Sequence, residues 1–200
     1  MIRFWDASNT VRGLVQTEIL HIYAEALVFS PCGTMIAWSD RKKFGADDGP
    51  TDIHIWDVQS MQEQFVLKGH SDTVICLAWL SEWIVSGGFD ATVRLWKSKI
   101  VESTSTWSCM AVIRETMGRV TCIAWNPVMP LEFVCGSTDS SLCVWTVTEA
   151  EDGGDVNVCL KWGSTDRLVA QGAKIMDAIG LDGMQRKLLQ QGGAIGEIVQ

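Results

Sequence analysis

Residues 69–96 read GHSDTVICLAWLSEWIVSGGFDATVRLW, and this stretch decides the fold. It holds three short runs rich in Val, Ile, Leu, Cys and Trp, at 74–79, 83–88 and 92–96. Ser, Glu, Gly and Asp interrupt these runs. Short apolar runs bounded by turn residues are typical of β-strands, and no helical period accompanies them. The stretch therefore predicts consecutive strands joined by tight turns.

The same pattern recurs along the chain. Residues 120–145 contain VTCIAW, FVCGSTD and LCVW in that order, and residues 26–57 contain ALVFSPCGTMIAW and DIHIWD. An incomplete copy, IRFWD at 2–6, opens the sequence. The late Trp of each copy stands at 5, 56, 96 and 145, so the copies recur every 40 to 51 residues. This period predicts a repeat protein with four strands in each unit.

Four side chains of the decisive stretch carry a resemblance to a known family. His70 (after Gly69), Ser86, Asp90 and Trp96 resemble the complete hydrogen-bonded tetrad of the WD-repeat (WD40) family. The resemblance implies a β-propeller, in which four-stranded blades surround a central channel. It also implies that the Trp indole donates to the Ser hydroxyl, and that this hydroxyl reaches a His oriented by the Asp.

The other copies keep only parts of this tetrad. The third copy has Asp139 and Trp145, but Thr116 and Cys135 stand where His and Ser would be. The first copy keeps Trp56 with the Asp that follows it, and it lacks a clear Gly-His pair. This degeneracy blurs the borders of the blades and leaves the predicted fold unchanged.

The predicted fold class is therefore all-β, a WD40 β-propeller or a fragment of one. We expect about three full blades with a half-blade at each end, and a short C-terminal tail that is helical or flexible. The propeller is assigned to residues 1–176, with repeats at 1–20 (partial), 21–68, 69–115, 116–155 and 156–176 (partial). The tail is assigned to 177–200, and it resembles the C-terminal ends of fungal WD-repeat proteins that are often built into large multidomain receptors.

The segment VNVCLKW at 156–162 is ambiguous. Its CLKW resembles CLAW at 76–79 and CIAW at 122–125, which favours the first strand of a new blade. Its distance from Trp145 also suits the fourth strand of the third blade. Propellers close so that no strand edge is exposed. Either the two half-blades join into a small ring, or the sequence is a fragment of a longer propeller, which we favour.

Composition excludes several classes of function. A formal net charge of −8 argues against general binding of nucleic acid and against docking on an anionic membrane. No secretory signal opens the chain, and no apolar run is long enough to span a bilayer. The seven Cys form no C-x-x-C pair, so they predict neither a metal site nor a disulfide framework. We expect no cofactor and an intracellular location, with cytoplasm and nucleus equally open.

The predicted function is a non-catalytic scaffold that binds a protein or peptide on one rim of the propeller. The resemblance implies that three positions in each blade face this rim. Two flank the inward apolar residue at the start of the first strand, and one precedes the turn Asp. These rim residues are Tyr23, Glu25, Thr73, Ile75, Phe89, Arg119, Thr121 and Thr138. Phe89 is expected to join Tyr23, Ile75 and Arg119 in an aromatic and apolar patch, or alternatively to fold against its own blade.

Two other functions remain as alternatives. One is a purely structural piece of a larger assembly or multidomain protein, which has no discrete ligand. The other is a propeller enzyme, for which His70, Ser86 and Asp90 would be a catalytic group. Trp96 completes these three as a structural tetrad, and no metal-ligand spacing includes His21 or His54. We therefore predict that the protein has no catalytic residues and is not an enzyme.

Overall fold

The computed structural model describes residues 2–6, 15–20, 23–40, 50–101, 104–114, 116, 118–150 and 155–164. Within these residues the chain forms β-strands and no helix. Strands β1 (Ile2–Asp6) and β2 (Val15–Leu20) pair as an antiparallel hairpin. This hairpin is the predicted N-terminal half-blade.

Three four-stranded antiparallel sheets follow, and in each the strands lie in the order of the sequence. The first blade contains β3 (Ala24–Phe29), β4 (Met35–Asp40), β5 (Ile53–Asp57) and β6 (Gln62–Leu67). The second contains β7 (Val74–Leu80), β8 (Trp83–Gly88), β9 (Val93–Val101) and β10 (Thr104–Ile113). The third contains β11 (Val120–Trp125), β12 (Glu132–Ser137), β13 (Leu142–Glu149) and β14 (Val156–Gly163). The all-β propeller architecture predicted from the repeat is confirmed.

Strand β14 corrects one prediction. It pairs with β13 from Glu149↔Val156 to Cys143↔Gly163, so it is the fourth strand of the third blade and does not begin a new one. The favoured assignment was wrong, and the repeat placed at 116–155 extends through Gly163. This pairing provides hydrogen-bond partners for the backbone groups along the outer edge of β13, which would otherwise be unpaired.

The first strands of the blades are neighbours, with β7 between β3 and β11. Two apolar cores lie between successive blades. Ile53, Ile55, Val74, Ile84 and Trp96 belong to the core between the first and second blades. The core between the second and third blades includes Trp83, Val85, Leu95, Phe133 and Trp145. Alternation along β8 and β9 explains this arrangement, because successive side chains of a strand point to opposite faces. The second blade is therefore covered on both faces.

A β-bulge interrupts the first strand of every blade. The pairing register shifts between Ala24 and Leu27, between Val74 and Cys76, and between Val120 and Cys122. A bulge inserts an unpaired residue and re-aims the side chains around it. The predicted rim residues Glu25, Ile75 and Thr121 lie inside these three shifts, so the bulges shape the same end of each blade.

The remaining predictions about organisation lie outside the described residues. They concern the tail at 177–200, expected to be helical or flexible, and the part of the last partial repeat beyond residue 164. The chain divides into two units, Met1–Gly163 and Ser164–Gln200. Among the described residues there is no helix long and apolar enough to cross a membrane.

Candidate functional site

The tetrad side chains of the second blade form one continuous hydrogen-bonded chain. Trp96 Nε1 donates to Ser86 Oγ at 2.8 Å. Ser86 Oγ lies 2.8 Å from His70 Nε2, and His70 Nδ1 lies 2.9 Å from Asp90 Oδ2. The Ser86 hydroxyl, which accepts from the indole, can direct its own proton to His70 Nε2, and His70 Nδ1 donates to the Asp90 carboxylate.

The carboxylate of Asp90 closes this chain and also holds two loop segments. Asp90 Oδ2 accepts the Ser71 N–H at 3.0 Å. Asp90 Oδ1 accepts the Thr92 N–H at 3.1 Å and the Thr92 hydroxyl at 2.8 Å. Burial alone would raise the pKa of Asp90, but the hydrogen bonds from His70, Thr92 and Ser71 hold it well below its usual value. The Asp90 carboxylate is thus ionised, and both of its oxygens accept hydrogen bonds. Thr92 was missed from the sequence, although an Asp two residues before a Thr is a signal for such a turn.

The third blade carries a weaker version of this network. Trp145 Nε1 donates to Cys135 Sγ at 3.3 Å, in the place where Trp96 meets Ser86. Burial raises the pKa of the Cys135 thiol to about 11, so the acceptor is a neutral sulfur, which accepts weakly. Thr116 does not take the place of His, because its hydroxyl donates to the Ala91 carbonyl of the second blade. Asp139 still accepts the Ser141 N–H at 2.9 Å within its own turn.

The first blade replaces the tetrad with stacking. The strand register places Trp38 opposite Leu27, as Ser86 lies opposite Leu77 in the second blade. The Trp38 ring stacks on His54, with 4.4 Å between the ring centroids. His54 in turn bonds Glu63 at 2.6 Å and Asp40 at 3.2 Å. The His54 ring is thus held by two carboxylates and the stacked indole, whereas the buried Trp38 Nε1 has no hydrogen-bond partner among the described residues. The family tetrad did not predict this arrangement.

At the rim, Phe89 and Arg119 come together from two different blades. The Arg119 Cζ atom lies 4.3 Å from the centroid of the Phe89 ring, which is a cation–π contact. Phe89 N–H donates to the Thr73 carbonyl at 2.8 Å, and Thr138 N–H donates to the Arg119 carbonyl at 2.9 Å. An equivalent backbone hydrogen bond is thus present at the same position in each of the two blades. We call these two stacked side chains the Phe89–Arg119 pair.

The other rim residues lie differently from one another. Ile75 is half-buried and packs against the core between the second and third blades, so it contributes little open surface. Thr121 is exposed, and its hydroxyl donates to the Gly136 carbonyl at 3.2 Å. Tyr23 is 67% exposed and Glu25 is also exposed. No ring contact within the described part of the chain joins Tyr23 to Phe89. The structure brings together Phe89 and Arg119, and it does not gather all four members of the expected patch.

The chemistry available at these sites is recognition and positioning. Within the described residues, no group of three or more His, Cys, Asp or Glu could hold a metal ion. His70 and Ser86 are 2% and 0% exposed, so a substrate could not reach a Ser-His-Asp group formed by them. The trio is enclosed and completed by Trp96, as the resemblance implied.

Comparison with known proteins finds WD40 repeats in part of the chain. A sequence model described as "WD domain, G-beta repeat" matches residues 61–97 and 107–146. The chain is 31% identical over 127 residues to the Periodic tryptophan protein 2 homolog of Neurospora crassa, covering 62% of this chain and 13% of that protein. It is 34% identical over 82 residues to the ribosome biogenesis protein BOP1 of Rattus norvegicus, covering 40% and 10%. The chain thus spans a small part of the length of these curated relatives.

Solved structures show the same fold. Sqt1 of Chaetomium thermophilum, in its crystal structure bound to the N-terminus of the ribosomal protein L10, matches with a TM-score of 0.57 and 22% identity. That match covers 68% of this chain and 36% of the Sqt1 chain. The WD40 repeats of RRP9 match with a TM-score of 0.51 and 20% identity, covering 70% of this chain and 39% of theirs.

Proposed function

We propose that this chain, whose residues 61–97 and 107–146 match the WD40 repeat and whose described blades have the β-propeller fold, is a non-catalytic scaffold that binds a protein or peptide at its rim. The observation that carries the proposal is the Phe89–Arg119 pair, which stands at the loop end of two adjoining blades. Aromatic and Arg side chains are enriched among the residues that dominate the energy of protein interfaces. The pair therefore offers a preformed anchor for a partner.

Two further points support this reading. The structurally similar Sqt1 was crystallised with a segment of another protein, the N-terminus of the ribosomal protein L10. BOP1 is named for ribosome biogenesis, which supports an intracellular place for this chain as part of the proposal. The partner of this chain is proposed here by its chemistry only, since the fold alone hosts many functions.

In the test, three tagged variants and the unchanged protein are each expressed in cells and purified, and the proteins that co-purify with them are compared. Phe89→Ala and Arg119→Ala alter the rim, and Val128→Ala alters an 81% exposed apolar side chain at the opposite end of the third blade. We expect bound proteins to be lost with both rim variants and retained with Val128→Ala, as judged by quantitative mass spectrometry. Equal recovery with all three variants would refute rim binding.

A second function, as a structural piece of a larger assembly, is favoured by one comparison between blades. Cys76 is 9% exposed because the third blade covers it. Cys122, at the same place in the third blade, is exposed, and Trp162 on β14 is 56% exposed. We propose that a further blade covers this face in the assembled protein. Iodoacetamide should then label Cys122 in the isolated 200-residue chain and leave it unlabelled in the assembly purified from cells, and equal labelling would contradict this.

A further inference from the structure

We propose that Arg119, held over the Phe89 ring between the second and third blades, binds a side-chain carboxylate in an acidic segment of the partner polypeptide. The inference rests on the proposed rim function and adds to it the chemistry of the partner. It depends on the orientation, the rigidity and the hydrogen-bonding capacity of one guanidinium group.

The Phe89 ring fixes the orientation of this guanidinium. Arg119 Cζ lies over the Phe89 ring, 4.3 Å from its centroid, so the aromatic ring contacts one side of the cation. The N–H groups of a guanidinium lie in its plane, and a contact with one face leaves their hydrogen-bonding directions open. Two of them can donate in parallel to one carboxylate, a bidentate geometry that is stronger and more specific than a single charge contact.

Backbone hydrogen bonds hold both residues of the pair. Arg119 N–H donates to Thr138 Oγ1 at 3.0 Å, and the Arg119 carbonyl accepts from the Thr138 N–H at 2.9 Å. Phe89 N–H is held by the Thr73 carbonyl at 2.8 Å. A site that is ordered before the ligand arrives loses less conformational entropy on binding. Since Thr138 Oγ1 accepts from Arg119, the proton of this hydroxyl remains available to the same ligand.

Three lysines of the described residues already lie beside carboxylates, whereas Arg119 does not. Lys97 bonds Glu149, Lys161 bonds Glu132, and Lys68 lies 3.7 Å from Asp52. Arg119 is exposed, and no carboxylate of the described residues forms an ion pair with it.

Asp90, which follows Phe89 in the sequence, is already bonded to His70. The pair is therefore a cationic donor site on a chain whose formal net charge is −8. An acidic ligand is repelled by most of this surface, so its binding depends on the positioned guanidinium.

The test uses three pools of fluorescein-labelled nonapeptides that share the same randomised positions. At three alternate positions the pools carry Glu, Gln or Lys. Binding to the full 200-residue chain is measured by fluorescence anisotropy at about 0.15 M ionic strength, where long-range charge effects are screened. We expect the Glu pool to bind about ten-fold or more tightly than the Gln pool, because only the carboxylate can form the charged bidentate pair.

Four variants connect this preference to the pair. Arg119→Gln should abolish the preference for Glu, and Arg119→Lys should retain only part of it because ammonium cannot form the planar fork. Phe89→Leu should weaken the preference by removing the stacked ring. Lys99→Gln is the matched control, since Lys99 pairs with Thr106 at the far end of β9. The urea midpoint of each variant verifies that it is folded.

The outcomes separate this inference from the function on which it rests. Equal binding of the Glu and Gln pools, no binding of any pool, or a Glu preference that survives Arg119→Gln would overturn carboxylate recognition. If the Gln or Lys pool binds instead and depends on Phe89, the rim still binds polypeptides but the inferred partner chemistry is wrong. Loss of cellular partners from Phe89→Ala and Arg119→Ala tests the rim function independently of these pools.

Discussion

Replacing Ser86 with Ala tests whether the tetrad stabilises the second blade. The Ser86 hydroxyl is completely buried, accepts from Trp96 Nε1 at 2.8 Å and donates to His70 Nε2 at 2.8 Å. The substitution removes one oxygen, so it opens little space, but it leaves one buried donor and one buried acceptor without partners. Each such group costs about 1–3 kcal/mol. We therefore expect the free energy of unfolding to fall by about 2–6 kcal/mol.

A double-mutant cycle separates the hydrogen bond from the packing. Trp96→Phe removes the indole N–H together with part of the ring, and the pair Ser86→Ala with Trp96→Phe leaves no indole donor unsatisfied. The double variant should therefore lose less stability than the sum of the single variants, by about 1 kcal/mol or more. Trp145→Phe is the matched control for the smaller ring. It should cost less than Trp96→Phe, because its acceptor is the Cys135 thiol.

The assay is equilibrium unfolding of the full chain in urea, followed by Trp fluorescence and by circular dichroism. Coincident transitions and an unchanged dependence on urea would establish that the variants share one cooperative unfolding reaction. A cost of less than about 1 kcal/mol for Ser86→Ala would refute the reasoning. Additive effects of Ser86→Ala and Trp96→Phe would also refute it, since they would mean that the two groups do not interact.

Three other predictions follow from the described residues. Hydrogen bonds hold the pKa of Asp90 below its usual value, so ionised Asp90 stabilises the folded protein above about pH 4, and this contribution is lost on acidification. The urea midpoints of the unchanged protein and Asp90→Asn should therefore converge below that pH. Gly87→Ala would bring a Cβ within 2.5 Å of Val120 Cγ1 and should lower the unfolding free energy by about 1–3 kcal/mol in the same urea assay. Hydrogen bonds from neighbouring hydroxyls lower the pKa of Cys32 to about 7, so its alkylation rate should be half-maximal near that pH. Burial raises the pKa of Cys76 to about 12, so this thiol should stay unlabelled when the peptides are analysed by mass spectrometry.

Much of the fold could be predicted because the repeat combines two independent signals. Alternation and turn residues identify strands, and the regular return of Trp identifies the unit to which they belong. The complete tetrad then fixes the register of the second blade, since Trp96 can meet Ser86 only if β8 and β9 pair as observed. Local pattern and long-range pairing agree here, so the sequence determines the arrangement without ambiguity.

The assignment of β14 could not be reached in the same way. A first strand and a fourth strand both alternate apolar and polar residues, and CLKW at 159–162 fits either position. What decides between them is the backbone pairing of β14 with β13, which the side-chain pattern of the segment does not specify. Likewise, Trp38 stacks on His54 because the strand register places them side by side, and no sequence motif predicts this contact.

The geometry of the rim connects the stabilising network with the proposed binding surface. Asp90 directly follows Phe89, and it accepts N–H groups from Ser71 and Thr92 on either side of the turn. The tetrad therefore holds the backbone that carries the Phe89 ring. The third blade carries only a weaker version of this network, and Thr138 fixes Arg119 through a bond from the Arg119 N–H and a bond to its carbonyl. Each half of the Phe89–Arg119 pair is thus positioned by its own blade, and the contact between them forms only when the two blades are packed together. Loosening that packing should weaken binding at the rim even when neither side chain is changed.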